Sequence, residues 1–238
     1  MIRNINKYEN LIFSSTNKNL QYIHSIIEYI NSNGNDHINI LDIGCGDGSL
    51  LKALRQQCPV FNYVGVDISS QNIKIAKQKW ADKNTKFILS NYLDTTFNNK
   101  FDLIISYSTL NLIEKPNIVV DKIYNQLQHG GIAIICIPYG CIRTHMYILL
   151  RKINIVLLKF GLKRIFELFA YFFLKEKYSK EQVSQSMVYM TMIPFFIWGR
   201  SIADNASLKG LKTISETIEL PRIIGKLSHK IIKLKKTH

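Results

Sequence analysis

Residues 38 to 48, Ile38-Asn39-Ile40-Leu41-Asp42-Ile43-Gly44-Cys45-Gly46-Asp47-Gly48, constrain the chain more than any other stretch. An apolar, isoleucine-rich run ends in an acid and then places three glycines at alternate positions, and a helix-like segment starts at Ser49. This pattern predicts a buried parallel strand running into a tight turn, one that lets a ligand come close to the backbone. Glycine at 44, 46 and 48 removes the Cβ atoms that would block such an approach, and the first amides of the following helix point into the same crevice. The ligand expected from this pattern is a nucleotide. The dinucleotide-binding fingerprint spaces its glycines G-x-G-x-x-G, with an acid about 20 residues further on. Here the spacing is G-x-G-x-G, and Asp42 stands ahead of the first glycine.

That arrangement resembles motif I of the class I S-adenosylmethionine-dependent methyltransferases. A second run, Tyr63-Val64-Gly65-Val66-Asp67-Ile68-Ser69, resembles the next strand of that family. The resemblance implies that Asp67 receives the ribose hydroxyls and that Ile68 lies beside them. An acid next to a glycine turn disfavours a pyrophosphate, whereas the cationic sulfur and ammonium of a sulfonium amino acid are attracted to it. Asp42, Gly44, Cys45, Gly46, Gly48, Asp67 and Ile68 are therefore the first candidate cofactor-binding residues.

Further segments carry the resemblance from about residue 18 to residue 137. A helical pattern with Leu20, Ile23, Ile26, Ile27 and Ile30 on one face begins near Thr16-Asn17 and ends at Asn31-Ser32-Asn33-Gly34-Asn35. It is similar to the family's helix over the cofactor crevice, which brings Tyr8 and Tyr22 near a substrate or into packing. Ser69 is a plausible N-cap for a helix over 71–80. Strand three runs over 86–89 into Ser90-Asn91-Tyr92-Leu93-Asp94, where the family usually has an acid for the adenine amine. Asn91 stands there instead; its carbonyl accepts the same hydrogen bond without charge, with Asp94 as the alternative acceptor. Tyr92 or Leu93 is expected to pack on the adenine ring.

Strand four, 101–106, continues into Tyr107-Ser108-Thr109, and ligands of open α/β sheets bind at such strand ends. Ser106, Tyr107 and Ser108 are thus candidate contacts to the methionine part or the substrate. The Asn/Asp-Pro-Pro-aromatic signature of amine-directed nucleic-acid methyltransferases does not occur in the sequence, which makes nucleic acid an unlikely partner. Pro116 opens the next helix, His129-Gly130-Gly131 closes it, and 132–137 forms strand five.

The expected fold is a Rossmann-like doubly wound α/β sheet of seven strands, mostly parallel, with an antiparallel strand 7 and a helical cap insertion. Residues 1–35 form the N-terminal helical segment, 36–140 the cofactor-binding core and 141–200 the cap. Residues 201–238 supply the last helix and strands six (211–220) and seven (228–234). The length of 238 residues with 47% hydrophobic content suits one such domain. Cysteines 45, 58, 136 and 141 form no CxxC pair or zinc-type cluster, so no metal site is expected and the thiols are read as free in a reducing compartment. The first seven residues contain no apolar signal core, so synthesis in the cytoplasm is expected.

Charge is unevenly distributed. The net charge is +14; residues 1–136 hold 13 Lys/Arg against 11 Asp/Glu, and residues 137–238 hold 18 against 6. The later part therefore suits an anionic partner. Residues 143–174 are densely apolar but broken by Arg151, Lys152, Lys159, Lys163 and Arg164. No charge-free piece reaches the roughly 20 residues of a spanning helix. The insertion reads as a packed cap, as an interfacial helix pair on an anionic membrane surface, or as a homodimer interface.

The resemblance implies S-adenosyl-L-methionine as cofactor and methyl transfer to a small, hydrophobic acceptor (O-, N- or C-methylation) in a biosynthetic pathway. RNA or protein methylation through the basic C-terminal part, or a non-catalytic cofactor-binding subunit, are the alternatives. Methyl transfer relies chiefly on positioning and desolvation. For an acceptor that must lose a proton, His145, Tyr139 and Tyr107 are the candidate bases.

Overall fold

The computed structural model describes residues 20–33, 38–58, 61–162, 196–198, 201–219 and 229–237. The start of the first helix near Thr16, Tyr8 and residues 163–195 of the expected cap lie outside the described residues.

In chain order the elements are α1 (Leu20–Ser32), β1 (Ile38–Ile43), α2 (Ser49–Arg55), β2 (Phe61–Asp67), α3 (Ser70–Trp80), β3 (Thr85–Leu89), β4 (Phe101–Tyr107), α4 (Pro116–Gln126), β5 (Leu127–Pro138), α5 (Ile142–Lys159), α6 (Ser201–Leu208), β6 (Leu211–Glu219) and β7 (His229–Lys236). The strands form one sheet in the order β3-β2-β1-β4-β5-β7-β6, with β7 antiparallel to both neighbours. Strand order reverses between β1 and β4, and this is where a doubly wound sheet opens its binding crevice.

The period-2 alternation of side chains divides the core between the two faces of the sheet. Leu103 and Ile105 of β4 face one side with Tyr22, Ile26, Leu50, Leu54, Ile73 and Ile134. Ile104 faces the other with Leu41, Ile43, Val119, Ile123, Ile135, Ile202 and Leu234. Helices α1, α2 and α3 thus cover the first face, and α4 and α6 the second. As expected, Ser69 caps α3, its hydroxyl accepting the Asn72 N–H at 3.2 Å.

Strand five differs from the expectation. His129-Gly130-Gly131 does not precede the strand but lies within it. The ladder with β4 starts at Phe101–Leu127, shifts register between Phe101 and Leu103, and resumes at Leu103–Ile132. Gly130 absorbs the irregularity with φ of 77°, so a glycine pair that reads as a turn serves here as a kink.

Ile104 is fully buried in the central strand. Ile104→Ala is expected to lower the unfolding free energy by about 2–5 kcal/mol, seen as a lower urea midpoint with an unchanged slope.

Candidate active site

The turn after β1 is held by backbone hydrogen bonds, two to β2 and one within itself. Gly44 N–H and Cys45 N–H both donate to Val66 O, at 2.8 and 3.1 Å, and Gly48 N–H donates to Cys45 O at 3.2 Å. Gly44, Gly46 and Gly48 all have left-handed φ, at 76°, 57° and 77°, a conformation costly for any residue with a Cβ. The space the glycines leave is taken first by the protein itself. A Cβ at Gly44 would lie 2.0 Å from Thr109 Oγ1, and one at Gly48 would lie 2.6 Å from Trp80 Cδ1. These two glycines therefore let neighbouring elements close onto the turn, rather than only clearing room for a ligand.

Asp67, at the carboxyl end of β2, clamps the middle of the turn. Its Oδ2 accepts Gly46 N–H at 2.9 Å and its Oδ1 accepts Ser69 N–H at 2.8 Å. Burial pushes the carboxyl above its usual range, against the lowering effect of these bonds, of Ile68 N–H and of the Asn72 side chain. A carboxylate so placed at the carboxyl end of β2 is a candidate acceptor for the hydroxyls of a ribose.

Several expected contacts take other positions. Asp42 is buried at the end of β1, with its Oδ2 accepting the Tyr63 phenol of β2. Cys45 turns its side chain into the core, against the position of Gly65, so only its backbone belongs to the turn. Tyr92 is buried, with its hydroxyl donating to Gln126 Oε1 at 3.0 Å, and cannot stack on an adenine. Leu93 beside it is half-buried. Asn91 caps the short 3-10 turn over Tyr92–Asp94: its Oδ1 accepts Leu93 N–H at 3.1 Å and its amide donates to Asp94 at 2.9 Å.

The candidate contacts on the other side come from the carboxyl end of β4 and the residues that follow it. Ser106 is buried and donates its hydroxyl to Ile43 O at 3.0 Å. Tyr107 packs on Tyr22 of α1, ring centroids 5.3 Å apart. Burial pushes the Tyr22 and Tyr63 phenols far above their ordinary range, so both stay protonated and neither is a base. His145 is exposed in the first turn of α5, its Nδ1 2.8 Å from Cys141 O. Tyr139 is half-buried, and its carbonyl accepts the Thr144 hydroxyl. The histidine that does stand against Tyr107 is His229, at the start of β7, with its ring stacked at 5.5 Å and its Nε2 3.0 Å from Ser108 Oγ. His229 and Ser108 are 121 positions apart, and no local pattern signals their pairing.

A family model described as a methyltransferase domain matches residues 34–182, more than half of the chain. The chain belongs to the class I S-adenosylmethionine-dependent methyltransferases. Among curated relatives, a malonyl-acyl-carrier protein O-methyltransferase of Priestia megaterium is 32% identical over 109 residues, 45% of this chain and 40% of that protein. A ubiquinone biosynthesis O-methyltransferase of Rickettsia canadensis is 31% identical over 117 residues, 46% of this chain and 48% of its own length. The chain thus spans less than half the length of these relatives. Among solved structures, magnesium protoporphyrin IX methyltransferase of Synechocystis, with bound SAH, aligns at a TM-score of 0.60 and 15% identity, covering 91% of this chain and 82% of that one. The N-methyltransferase NodS of Bradyrhizobium japonicum aligns at 0.59 and 12%, covering 100% and 98%. At such identities these two share the fold.

Asp67→Asn is expected to weaken S-adenosylhomocysteine binding by about tenfold or more in calorimetry, the scale of a hydrogen bond to a charged group. A raised folded-state pKa means that the folded chain holds its proton longer than the unfolded one. The Asp67 contribution to ligand-free stability therefore falls as pH rises from the ordinary carboxylate value through the raised one. The wild-type minus Asp67→Asn difference in stability should show that slope.

Proposed function

We propose that this methyltransferase moves the methyl group of S-adenosylmethionine to a small, hydrophobic acceptor in a biosynthetic pathway. One observation carries the reading. The left-handed glycine turn, clamped by Asp67, stands at the switch point of the sheet and directly against Thr109, so a donor cradle and the loop over 106–109 share one wall. The bound cofactor supplies an activated methyl carbon on a sulfonium; the chain's own residues bind, orient and exclude water. Gly44, Gly46 and Gly48 shape the backbone of the cradle. Asp67 takes the ribose hydroxyls, with Ile68 alongside. Asn91 and Leu93 border the adenine, and Ser106 and Tyr107 border the methionine part and the acceptor. The biosynthetic assignments carried by the names of the two curated relatives are in keeping with this reading.

The acceptor's hydrophobic character is supported by α5, which leaves the crevice edge just after Tyr139. Ile142, Leu149, Ile153 and Val156, with Phe160 just beyond the helix end, recur at spacings of 7, 4, 3 and 4 and are 45–82% exposed. They form one apolar stripe, and exposed Lys152 and Lys159 run along one side of it. The helix contains no Asp or Glu. Among the described residues no helix is long and apolar enough to cross a membrane. Such a stripe instead suits peripheral docking on anionic lipid, where apolar acceptors collect.

Incubation with methyl-labelled S-adenosylmethionine and a cell extract, followed by fractionation, tests the acceptor class. Label is expected in the organic-soluble or small-molecule pool; label confined to RNA or protein overturns the reading. The full chain is also expected to sediment with phosphatidylglycerol vesicles and not with phosphatidylcholine vesicles. Ile153→Asp should reduce that binding several-fold, and equal binding to both lipids refutes the docking.

A further inference from the structure

We propose that His229 is the proton acceptor of methyl transfer, acting on a hydroxyl group of the acceptor through the Ser108 side chain. The inference rests on the methyltransferase reading above and deepens it by naming the acceptor class. Four observations converge on this pair.

Ser108 has φ of 50°, and among the described residues it is the one non-glycine residue in left-handed backbone. Such conformations persist only where the surroundings over-determine them, and they cluster at working sites. Here the surroundings are explicit: Ser108 N–H donates to Cys136 O at 2.8 Å, Ser106 is tied to Ile43, and Thr109 presses against Gly44. The loop is stitched to the carboxyl ends of β1 and β5, with Ser108 one residue from the glycine turn's contact.

His229 arrives from the opposite end of the sequence. The antiparallel return of β7 sets it across from Pro138 of β5 and Glu219 of β6, at the sheet end where the crevice opens. Its Nε2 lies 3.0 Å from Ser108 Oγ. The ring stacks on Tyr107 at an interplanar angle of 26°, and Tyr107 is packed in turn by Tyr22. Among the described residues, the ionisable side chain stacked on His229 is Tyr107 of β4, with Tyr22 behind it on α1, while Lys230, next in sequence, points to the other face of the sheet and pairs with Glu216 at 2.5 Å. Tyr22 and Tyr63 stay protonated, and His145 is exposed on α5, which leaves His229 as the histidine aimed at the loop.

The step balances as follows. The acceptor hydroxyl gives its proton to Ser108 Oγ while Ser108 gives its own to His229 Nε2. The acceptor oxygen forms the new bond to the methyl carbon, and the carbon–sulfur bond breaks with its electron pair remaining on sulfur. The products are a methyl ether, a thioether nucleoside and a protonated imidazole that returns its proton to water. This relay requires the neutral tautomer with hydrogen on Nδ1, so that Nε2 accepts.

The test uses the full chain. In 15N-histidine spectra at neutral pH, the resonance missing from His229→Gln is expected to show an unprotonated Nε2, and Ser108→Ala to shift it; a proton on Nε2 overturns the proposal. In the labelled-extract assay His229→Gln should cut the rate about 100-fold, within the range for general base catalysis, and remove the rise of rate with pH. Its affinity for S-adenosylhomocysteine should stay within twofold. Ser108→Ala should fall short of wild type by about tenfold. A His229→Gln rate within threefold of wild type, a flat wild-type pH profile, or an N- or C-methylated product overturns the assignment while leaving the methyltransferase reading intact. Wild-type chain that fails to bind S-adenosylhomocysteine, or that binds it and labels nothing, overturns both.

Discussion

The bond from Gly46 N–H to the Asp67 carboxylate holds the site together. It joins the carboxyl ends of two adjacent parallel strands at the point where the chain must bend without side chains in the way. The cost of burying the carboxyl is only partly offset by the amides of Gly46 and Ser69, and the same bonds fix its orientation. Gly44, Gly46 and Gly48 follow from that constraint. A turn tight enough to bring an amide to Asp67, with Thr109 and Trp80 closing on it from two sides, leaves no room for a Cβ at 44 or 48.

From this clamp the construction extends outward in two directions. Beneath it, Asp42 and Tyr63 form a buried polar pair that fixes the end of β1 against β2. Beside it, Ser106, Ser108 and Thr109 tie the end of β4 to the strands on either side. Side chains that in isolation look like ligand contacts thus often serve the backbone that makes the contacts. Asn91 is the plainest example: its carboxamide caps the turn that follows β3.

Much of the fold was legible because its signals are local. The apolar run before the glycines, the second run ending in Asp67, the Ser69 cap and Pro116 at a helix start each depend on a few neighbouring residues. The features that escaped reading depend on partners far away. His129-Gly130-Gly131 has the composition of a turn, and only its pairing with Phe101 and Leu103 makes it part of β5. Tyr92 and Leu93 are adjacent, and that Tyr92 turns inward depends on Gln126, more than thirty positions on. His229 looks like one more basic residue in a lysine-rich terminus until the sheet brings it to Ser108.

The antiparallel return of β7 separates the site's two halves along the chain. The glycine turn and Asp67 lie within the first hundred residues, while His229, which meets Ser108, comes from the final hairpin. Under the proposed roles, recognition of the common reagent and the chemistry at the acceptor draw on distant stretches of the chain. A family can keep the first almost unchanged and diversify through the second.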